Sequence, residues 1–264
     1  MNPWAVDARC TPGCAAHAAP RVPLAEAVRR YAALTYEMTR GVAKGERLAE
    51  FETLRAQARG VLAALGVRLE AAPGPLSVSG PNGVGTLIVA NHVSWLDIVA
   101  VLAVEPATLL AKREVGGWPV IGTLARRIGT RFIDREGLRA LPGAVAELTG
   151  TLRSGRSVVV FPQATTWCST SGGRFRRATF QAAIDAGAPV RPITIDYRQH
   201  GAPSTVAAFL GDEDFGTSLR RVVSAGGLSV RVTAHPQLAP GADRRELAAR
   251  TRSAVCGTES PAHV

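Results

Sequence analysis

Apolar residues along the chain follow two alternating patterns. Short apolar runs bounded by Gly, Pro or Asn predict buried strands at 86–90, 108–112, 130–133, 157–161, 190–197 and 228–234, with a further short strand around 76–78. Apolar residues recur at helical spacing in the run after Asp97 and in 118–128, 138–152, 175–186 and 243–255. Strands that alternate with helices predict an α/β fold with a mostly parallel central sheet flanked by helices.

Two amphipathic helices are predicted ahead of the sheet. One apolar stripe begins at Leu24 and a second at Leu48, each with charged residues on the opposite face. We therefore divide the chain into a loose N-terminal arm (1–23), an amphipathic two-helix hairpin (24–66) and an α/β domain (67–264). The stripes suit either packing on the α/β domain or anchoring in a membrane interface. Neither segment has the roughly 20 apolar residues that a membrane span needs.

Composition narrows the class of partner. The 264 residues carry a formal net charge of +10, which suits an anionic partner such as an acidic membrane surface or a phosphorylated substrate. Nucleic acid is the weaker choice, because aromatic residues are sparse and no nucleic-acid-binding motif stands out. The cysteines lack paired metal-ligand spacing and are interpreted as thiols of a reducing compartment. They are Cys10, Cys14, Cys168 and Cys256. The N-terminal stretch lacks an apolar segment long enough for a signal peptide, so we expect a cytoplasmic protein.

The residues that carry chemistry lie between two apolar runs, at 91–97. His92 is predicted at the carboxyl end of a strand and Asp97 in the first turn of the next helix, where open α/β sheets bind ligands. The carboxylate can hold the imidazole in one tautomer and stabilise the imidazolium, so the pair can activate a substrate hydroxyl. The alternative is that His92 caps a turn and Asp97 favours a helix N-terminus. A serine nucleophile at Ser94 is disfavoured, because Gly-x-Ser-x-Gly is absent around it.

The stretch 91–97 resembles the His-x4-Asp signature of the glycerophospholipid acyltransferases, the 1-acylglycerol-3-phosphate acyltransferase family. Later segments resemble that family's further blocks in the right order, so the resemblance covers roughly residues 85–198. These segments are Gly129-Thr130-Arg131-Phe132-Ile133-Asp134-Arg135, Val158-Val159-Val160-Phe161-Pro162-Gln163-Ala164-Thr165-Thr166 and Val190-Arg191-Pro192-Ile193-Thr194-Ile195. The resemblance implies an O-acyltransferase that moves a fatty acyl group from acyl-CoA or acyl carrier protein to a lysophospholipid such as 1-acylglycerol-3-phosphate. It implies His92 as general base, Asp97 as its support, and no metal or organic cofactor.

Candidate substrate-binding residues come from the strand ends and the third block. Lys112 and Arg135 end predicted strands at the same sheet edge as His92, and Arg135 matches the closing arginine of the family's second block, which implies acceptor binding. The third block contributes Gln163, Ala164, Thr165 and Thr166.

The third block departs from the family's usual Phe-Pro-Glu-Gly-Thr. Gln163 loses the charge, Ala164 adds a methyl group, and Thr166 stands where a basic residue often follows; Arg174, Arg176 and Arg177 are candidates to replace that charge. Two alternatives therefore stay open: an acyltransferase for another lyso-lipid, such as lyso-ornithine lipid, or a catalytically weakened lipid-binding relative.

The resemblance also bears on the hairpin, because related bacterial enzymes are thought to anchor themselves through an N-terminal two-helix element. We expect a peripheral protein on the inner face of the cell membrane. Its expected partners are an anionic membrane surface, a lyso-lipid acceptor and an acyl thioester donor.

Overall fold

The computed structural model describes most of the chain as an α/β fold. The described residues are 8, 10–15, 20–78, 80–112, 116–117, 121–133 and 141–257. The strands are β1 (Arg68–Ala71), β2 (Leu87–Ala90), β3 (Thr108–Lys112), β4 (Arg131–Ile133), β5 (Val158–Val160), β6 (Val190–Gln199), β7 (Ala202–Pro203) and β8 (Leu228–Ala234). The α-helices are α1 (Leu24–Ala43), α2 (Phe51–Ala64), α3 (Leu96–Val104), α4 (Ile121–Arg127), α5 (Leu141–Arg153), α6 (Ala178–Ala186), α7 (Phe215–Ser224) and α8 (Arg244–Cys256).

The described strands form one mostly parallel mixed sheet in the order β1-β8-β6-β2-β5-β3-β4, with β7 paired to β6. Strands β6, β2, β5, β3 and β4 run parallel, whereas β8 is antiparallel to β6 and β1 is parallel to β8. Parallel neighbours bring their carboxyl ends to one edge of a sheet. The ends of β2, β5 and β6 therefore meet at the centre of that edge.

Both faces of the central strands are covered, which explains their continuous apolar runs. Ile88 of β2 belongs to the layer that includes Leu62 of α2 and Val101 of α3. Leu87 of the same strand belongs to the opposite layer, with Leu152 of α5 and other residues of α6 and α8. All four residues of β2 are buried. The strand that precedes His92 therefore lies in the centre of the core.

The six longer predicted strands all form, two with the predicted bounds and the others with ends that shift by one or two residues. The short strand predicted around 76–78 is wrong. The backbone N–H groups of Leu76 and Ser77 instead donate to the buried carboxylate of Glu105, at 3.0 Å for Ser77. Strands β1 and β7 and helix α7 were not predicted.

Helix α1 begins at the predicted Leu24 and α3 at Leu96, whereas α2 and α6 begin three residues later than predicted. Helix α6 begins at Ala178 rather than 175, because the Arg176 N–H donates to the Pro162 carbonyl at 2.8 Å and holds the preceding segment against the end of β5. The first residues of the predicted helices 118–128 and 138–152 lie outside the described part of the chain.

The N-terminal hairpin forms, but its two apolar stripes have different surroundings. Helices α1 and α2 pack together, and α2 buries Leu54, Ala58 and Leu62 against the core. Helix α1 buries only Ala27 and Gly41. Its apolar side chains are exposed at Leu24, Val28, Tyr31, Tyr36 and Val42. Among the helices in the described ranges, none is long and apolar enough to cross a membrane.

Described parts of the predicted arm lie against the α/β core. Cys10 and Ala15 are buried, and the Sγ atoms of Cys10 and Cys168 lie 3.4 Å apart. None of the four cysteines, all of which the structure describes, forms a disulfide. Burial and the neighbouring Cys10 raise the pKa of Cys168 to about 12, which keeps that thiol protonated.

Candidate active site

The candidate site lies at the carboxyl end of β2, in the turn that leads to α3. His92 follows β2 by two residues, and Asp97 occupies the first turn of α3, as predicted. Asn91 fixes the start of this turn to β6: its amide donates to the Ile195 carbonyl and accepts from the Ile195 N–H, both at 2.8 Å. The turn is therefore held to its neighbouring strand by two side-chain hydrogen bonds.

His92 and Asp97 form a hydrogen-bonded pair. The imidazole Nδ1 lies 2.8 Å from Asp97 Oδ2, and the Asp97 side chain is fully buried while that of His92 keeps 15% of its surface exposed. Because a carboxylate is only an acceptor, Nδ1 carries the proton and Nε2 is the basic nitrogen. The geometry suits a general base whose tautomer is set by its carboxylate neighbour.

Asp97 also binds backbone N–H groups of the turn that leads into α3. The alternative prediction, that this carboxylate favours a helix N-terminus, therefore describes part of its role. Oδ2 accepts from the backbone N–H groups of Val93 and Ser94 at 2.7 and 2.9 Å. Oδ1 accepts from the Tyr197 hydroxyl at 2.6 Å. Four donors thus surround one buried carboxylate, which offsets the cost of removing its charge from water.

The third sequence block holds His92 from its other side. Phe161 stacks on the imidazole with ring centroids 4.3 Å apart. The His92 N–H donates to Gln163 Oε1 at 2.6 Å, and the His92 carbonyl accepts from the Trp167 N–H at 2.8 Å. Both backbone polar groups of His92 are therefore bound to the segment that follows β5.

Gln163 is buried, and its amide is engaged at both ends by backbone groups. Its Nε2 donates to the Gly172 carbonyl and lies 3.4 Å from the Thr170 carbonyl. These partners fix which end of the Gln163 amide is oxygen and which is nitrogen. The His92 N–H needs an acceptor and therefore faces Oε1, and the Gly172 carbonyl needs a donor and therefore faces Nε2. Gln163 is placed to join the His92 peptide to the 170–172 turn.

The next three residues of the block have different environments. Ala164 has φ +62°, in the left-handed region that favours glycine. Thr165 is half-buried, and the Thr166 hydroxyl donates to the Phe209 carbonyl. The Phe209 N–H in turn donates to the Val93 carbonyl at 3.0 Å. Thr166 is thus connected, through the 209 peptide, to the His92–Asp97 turn.

The structure describes some of the basic residues predicted to bind the acceptor and not others. Lys112 is the last residue of β3, parallel to β5, but its side chain and the whole of Arg135 lie outside what the structure describes. Arg174 and Arg177 are exposed, and Arg176 is half-buried. The contact between Arg176 N–H and the Pro162 carbonyl places this basic segment directly beside the third block.

Ser94 does not offer an accessible nucleophile. Its side chain is fully buried, and its Oγ accepts from the Leu96 N–H at 3.2 Å. The hydroxyl that His92 would activate is therefore better supplied by a substrate.

Sequence reasoning missed Tyr197, Asn91, Phe161 and Trp167 as parts of the site. Tyr197 and Asp97 are 100 residues apart, so no local spacing signals their contact. Phe161 lies inside a recognised block and Asn91 directly precedes His92, which were the available signals.

Fold and site together define an α/β protein with a carboxylate-bound imidazole at the carboxyl edge of its parallel strands. Comparisons with known proteins identify the class of enzyme. A model of the acyltransferase family matches residues 77–196. The 1-acyl-sn-glycerol-3-phosphate acyltransferase of Neisseria meningitidis is 41% identical over 175 residues, which are 66% of this chain and 67% of that protein. The chain belongs to the acyltransferase family, and it is an enzyme of lipid metabolism.

Two further proteins are similar to the chain, one in sequence and one in fold. The lyso-ornithine lipid O-acyltransferase of Pseudomonas aeruginosa is 38% identical over 182 residues, covering 66% of this chain and 69% of that protein. The crystal structure of the 1-acyl-sn-glycerophosphate acyltransferase of Thermotoga maritima matches 88% of this chain and 92% of that chain, with a TM-score of 0.59 and 21% identity. This last similarity confirms the α/β fold.

Proposed function

We propose that the protein transfers a fatty acyl group from acyl-CoA or acyl carrier protein to the free hydroxyl of 1-acylglycerol-3-phosphate, with His92 as general base. The observation that carries the proposal is the 2.8 Å contact between His92 Nδ1 and the buried carboxylate of Asp97, which leaves Nε2 as the basic atom. The Neisseria meningitidis relative supports this choice of acceptor.

In the proposed mechanism, Nε2 removes the proton of the acceptor hydroxyl as its oxygen attacks the thioester carbonyl. Asp97 stabilises the imidazolium that forms. The tetrahedral intermediate then collapses: the carbon–sulfur bond breaks, and the thiolate leaves with the proton from Nε2. The products are the diacyl lipid and free CoA or carrier-protein thiol, and His92 returns to its starting state.

We assign acceptor binding to cations around the third block. The Arg176 N–H binds the Pro162 carbonyl, and Arg174 and Arg177 are its near neighbours along the chain. These three residues can supply positive charge to an anionic head group, as guanidinium groups bind phosphate through paired hydrogen bonds. Lys112 and Arg135 remain candidates for the same role.

A second candidate acceptor is lyso-ornithine lipid. It is favoured by Gln163 and Thr166, which stand where the resembled family usually has a glutamate and often a basic residue. The Pseudomonas aeruginosa relative supports it independently.

We further propose that the hairpin anchors the enzyme on the inner face of an anionic membrane. Five apolar side chains of α1 are exposed, Leu24 at 80% and Val28 at 58% among them, whereas Leu34 packs against the core. Arg29 follows Val28 in the chain and Arg47 follows the end of α1, and both have most of their side-chain surface exposed. Apolar area next to basic residues is what an interfacial helix presents to an anionic bilayer.

The test is release of free CoA from acyl-CoA with each acceptor in parallel. General-base help is typically worth about 10²–10⁴ in rate, so His92→Asn should lower kcat/KM at least about 100-fold. His200→Asn is the matched control: His200 is exposed and has φ +50°, a conformation that asparagine tolerates. Equal activity of the two variants would overturn the base assignment. An absence of turnover with either acceptor would favour the lipid-binding alternative.

A further inference from the structure

Tyr197 of β6 is buried beneath the His92–Asp97 pair. Its hydroxyl donates to Asp97 Oδ1 at 2.6 Å, while Oδ2 accepts from His92 Nδ1. The phenol therefore binds the carboxylate oxygen that the imidazole does not use. Within the described part of the chain, His92, Asp97 and Tyr197 are the titratable groups in this network.

The phenol is a permanent donor. Burial and the charge of Asp97 raise the pKa of Tyr197 well above its usual value, so the hydroxyl stays protonated at any working pH. The Ser94 side chain also interacts with it, and Ser94 is fully buried as well. The donor cannot turn towards water, because Tyr197 keeps only 4% of its surface exposed.

A carboxylate can rotate about its last side-chain bond, and two donors on different oxygens oppose that rotation. Here the N–H groups of Val93 and Ser94 bind Oδ2 from the turn, and Tyr197 binds Oδ1 from the sheet. The plane of the carboxylate is thereby fixed relative to the imidazole. A donor on Oδ1 also withdraws part of the negative charge that would otherwise stabilise the imidazolium.

We propose that Tyr197 is a positioning residue for the acyl transfer: through Asp97 it fixes the direction of His92 Nε2 and moderates the basicity of the pair. This inference rests on the proposed role of His92 as general base. Tyr197 itself does not touch the substrate, and it acts only through the carboxylate.

The test is Tyr197→Phe, which removes the hydroxyl and keeps the ring. We expect kcat to fall about 10- to 100-fold, the range set by one hydrogen bond to a charged group. KM for the acyl donor should change less than about twofold, because the substituted group lies behind the carboxylate. The acidic limb of the kcat/KM profile should move to higher pH, since losing a donor leaves more negative charge on the Asp97–His92 pair.

The control is Ile195→Val, a buried position on the same strand that loses packing but no donor to Asp97. It should lower the melting temperature without moving the acidic limb. Wild-type kcat and an unmoved limb in Tyr197→Phe would overturn the inference, and the proposed base would survive that result. Inactivity of the wild-type enzyme would instead count against the proposed function.

A second variant covers the case in which Tyr197→Phe does not fold. With 3-fluorotyrosine incorporated at position 197, the ring and the hydroxyl stay while the hydroxyl becomes a stronger donor. The acidic limb should then move to lower pH, opposite to the effect of phenylalanine. No movement in the fluorinated protein would overturn the inference.

Discussion

Replacing Gln163 by glutamate restores the residue usual in the resembled family, yet the surroundings of this side chain predict that it destabilises this protein. The Gln163 Oε1 accepts from the His92 N–H at 2.6 Å, and Nε2 donates to the Gly172 carbonyl. A carboxylate keeps the first contact and loses the second. In Gln163→Glu, an ionised oxygen would face two backbone carbonyls in a buried site.

The size of the effect depends on protonation. A protonated glutamate can still donate to Gly172, so the folded state will raise the pKa of the new carboxyl group. Keeping a group of ordinary pKa about 4.3 protonated at pH 7 costs at most about 4 kcal/mol, and relaxation of the turn reduces this. We expect Gln163→Glu to lower the free energy of unfolding by about 2–4 kcal/mol at pH 7.

The raised pKa of the new carboxyl group determines how the stability of Gln163→Glu changes with pH. The variant should approach wild-type stability below about pH 4.3, where glutamate is protonated in both states, and lose stability as pH rises. Urea unfolding followed by circular dichroism between pH 4.5 and 8 measures this. Gln237→Glu, at an exposed position, is the control for the added charge. Its free energy of unfolding should not fall further below that of wild type as pH rises. A Gln163→Glu protein as stable as wild type at pH 8 would refute the two-ended contact.

Two further predictions concern backbone strain and membrane binding. Ala164→Gly should raise the free energy of unfolding by up to about 1 kcal/mol, because a left-handed alanine costs roughly 1–2 kcal/mol and glycine loses about 0.5–1 kcal/mol more entropy on folding. Calorimetry measures it, and a lower melting temperature would contradict it. Val28→Glu should weaken co-sedimentation with anionic liposomes and leave the melting temperature unchanged, because Val28 is 58% exposed. Binding by wild type should fall with salt, and undiminished sedimentation of Val28→Glu relative to Gln237→Glu would assign membrane binding elsewhere.

The burial of the hairpin decides how its proposed membrane anchoring should be tested. The division of the chain suggests deleting residues 1–66 as the test. Removing residues 1–66 would also remove Leu62 and Leu65, which are buried in the core. Such a truncation would confuse loss of anchoring with loss of folding. The surface substitution on α1 separates the two effects, because Val28 is exposed, whereas Leu54, Ala58 and Leu62 of α2 are buried in the core.

The sequence predicts the features that are local along the chain. The central strands were recognisable because both faces are buried, which leaves continuous apolar runs such as Leu87–Ala90. His92 and Asp97 were recognisable because a single turn joins them. Edge strand β1 carries Arg68 and Glu70 and has no buried residue, so no apolar pattern announces it. Its pairing with β8 includes an ion pair between Glu70 and Arg231, 2.9 Å apart, which joins residues 161 positions apart and so has no local signal in the sequence.

Contacts between distant blocks required the strand order. Gln163 comes near His92 because β5 lies beside β2, and Tyr197 reaches Asp97 because β6 lies on the other side. The sequence suggested that Gln163 meets the acceptor. The structure places its amide between backbone groups, a contact that no spacing between two blocks could have indicated, and binding of the acceptor by Gln163 stays a prediction.

The paired attachment of His92 to the segment after β5 has a consequence for how specificity can change. Gln163 and Trp167 form hydrogen bonds with the backbone N–H and carbonyl of His92, the proposed base. Residues 164–166, which resemble part of the family's third block, lie between these two contacts. Mutations that retune head-group choice there will also tilt the imidazole. Divergence towards a new lipid should therefore proceed through coordinated substitutions in this segment and in β6, rather than through single exchanges at 164–166.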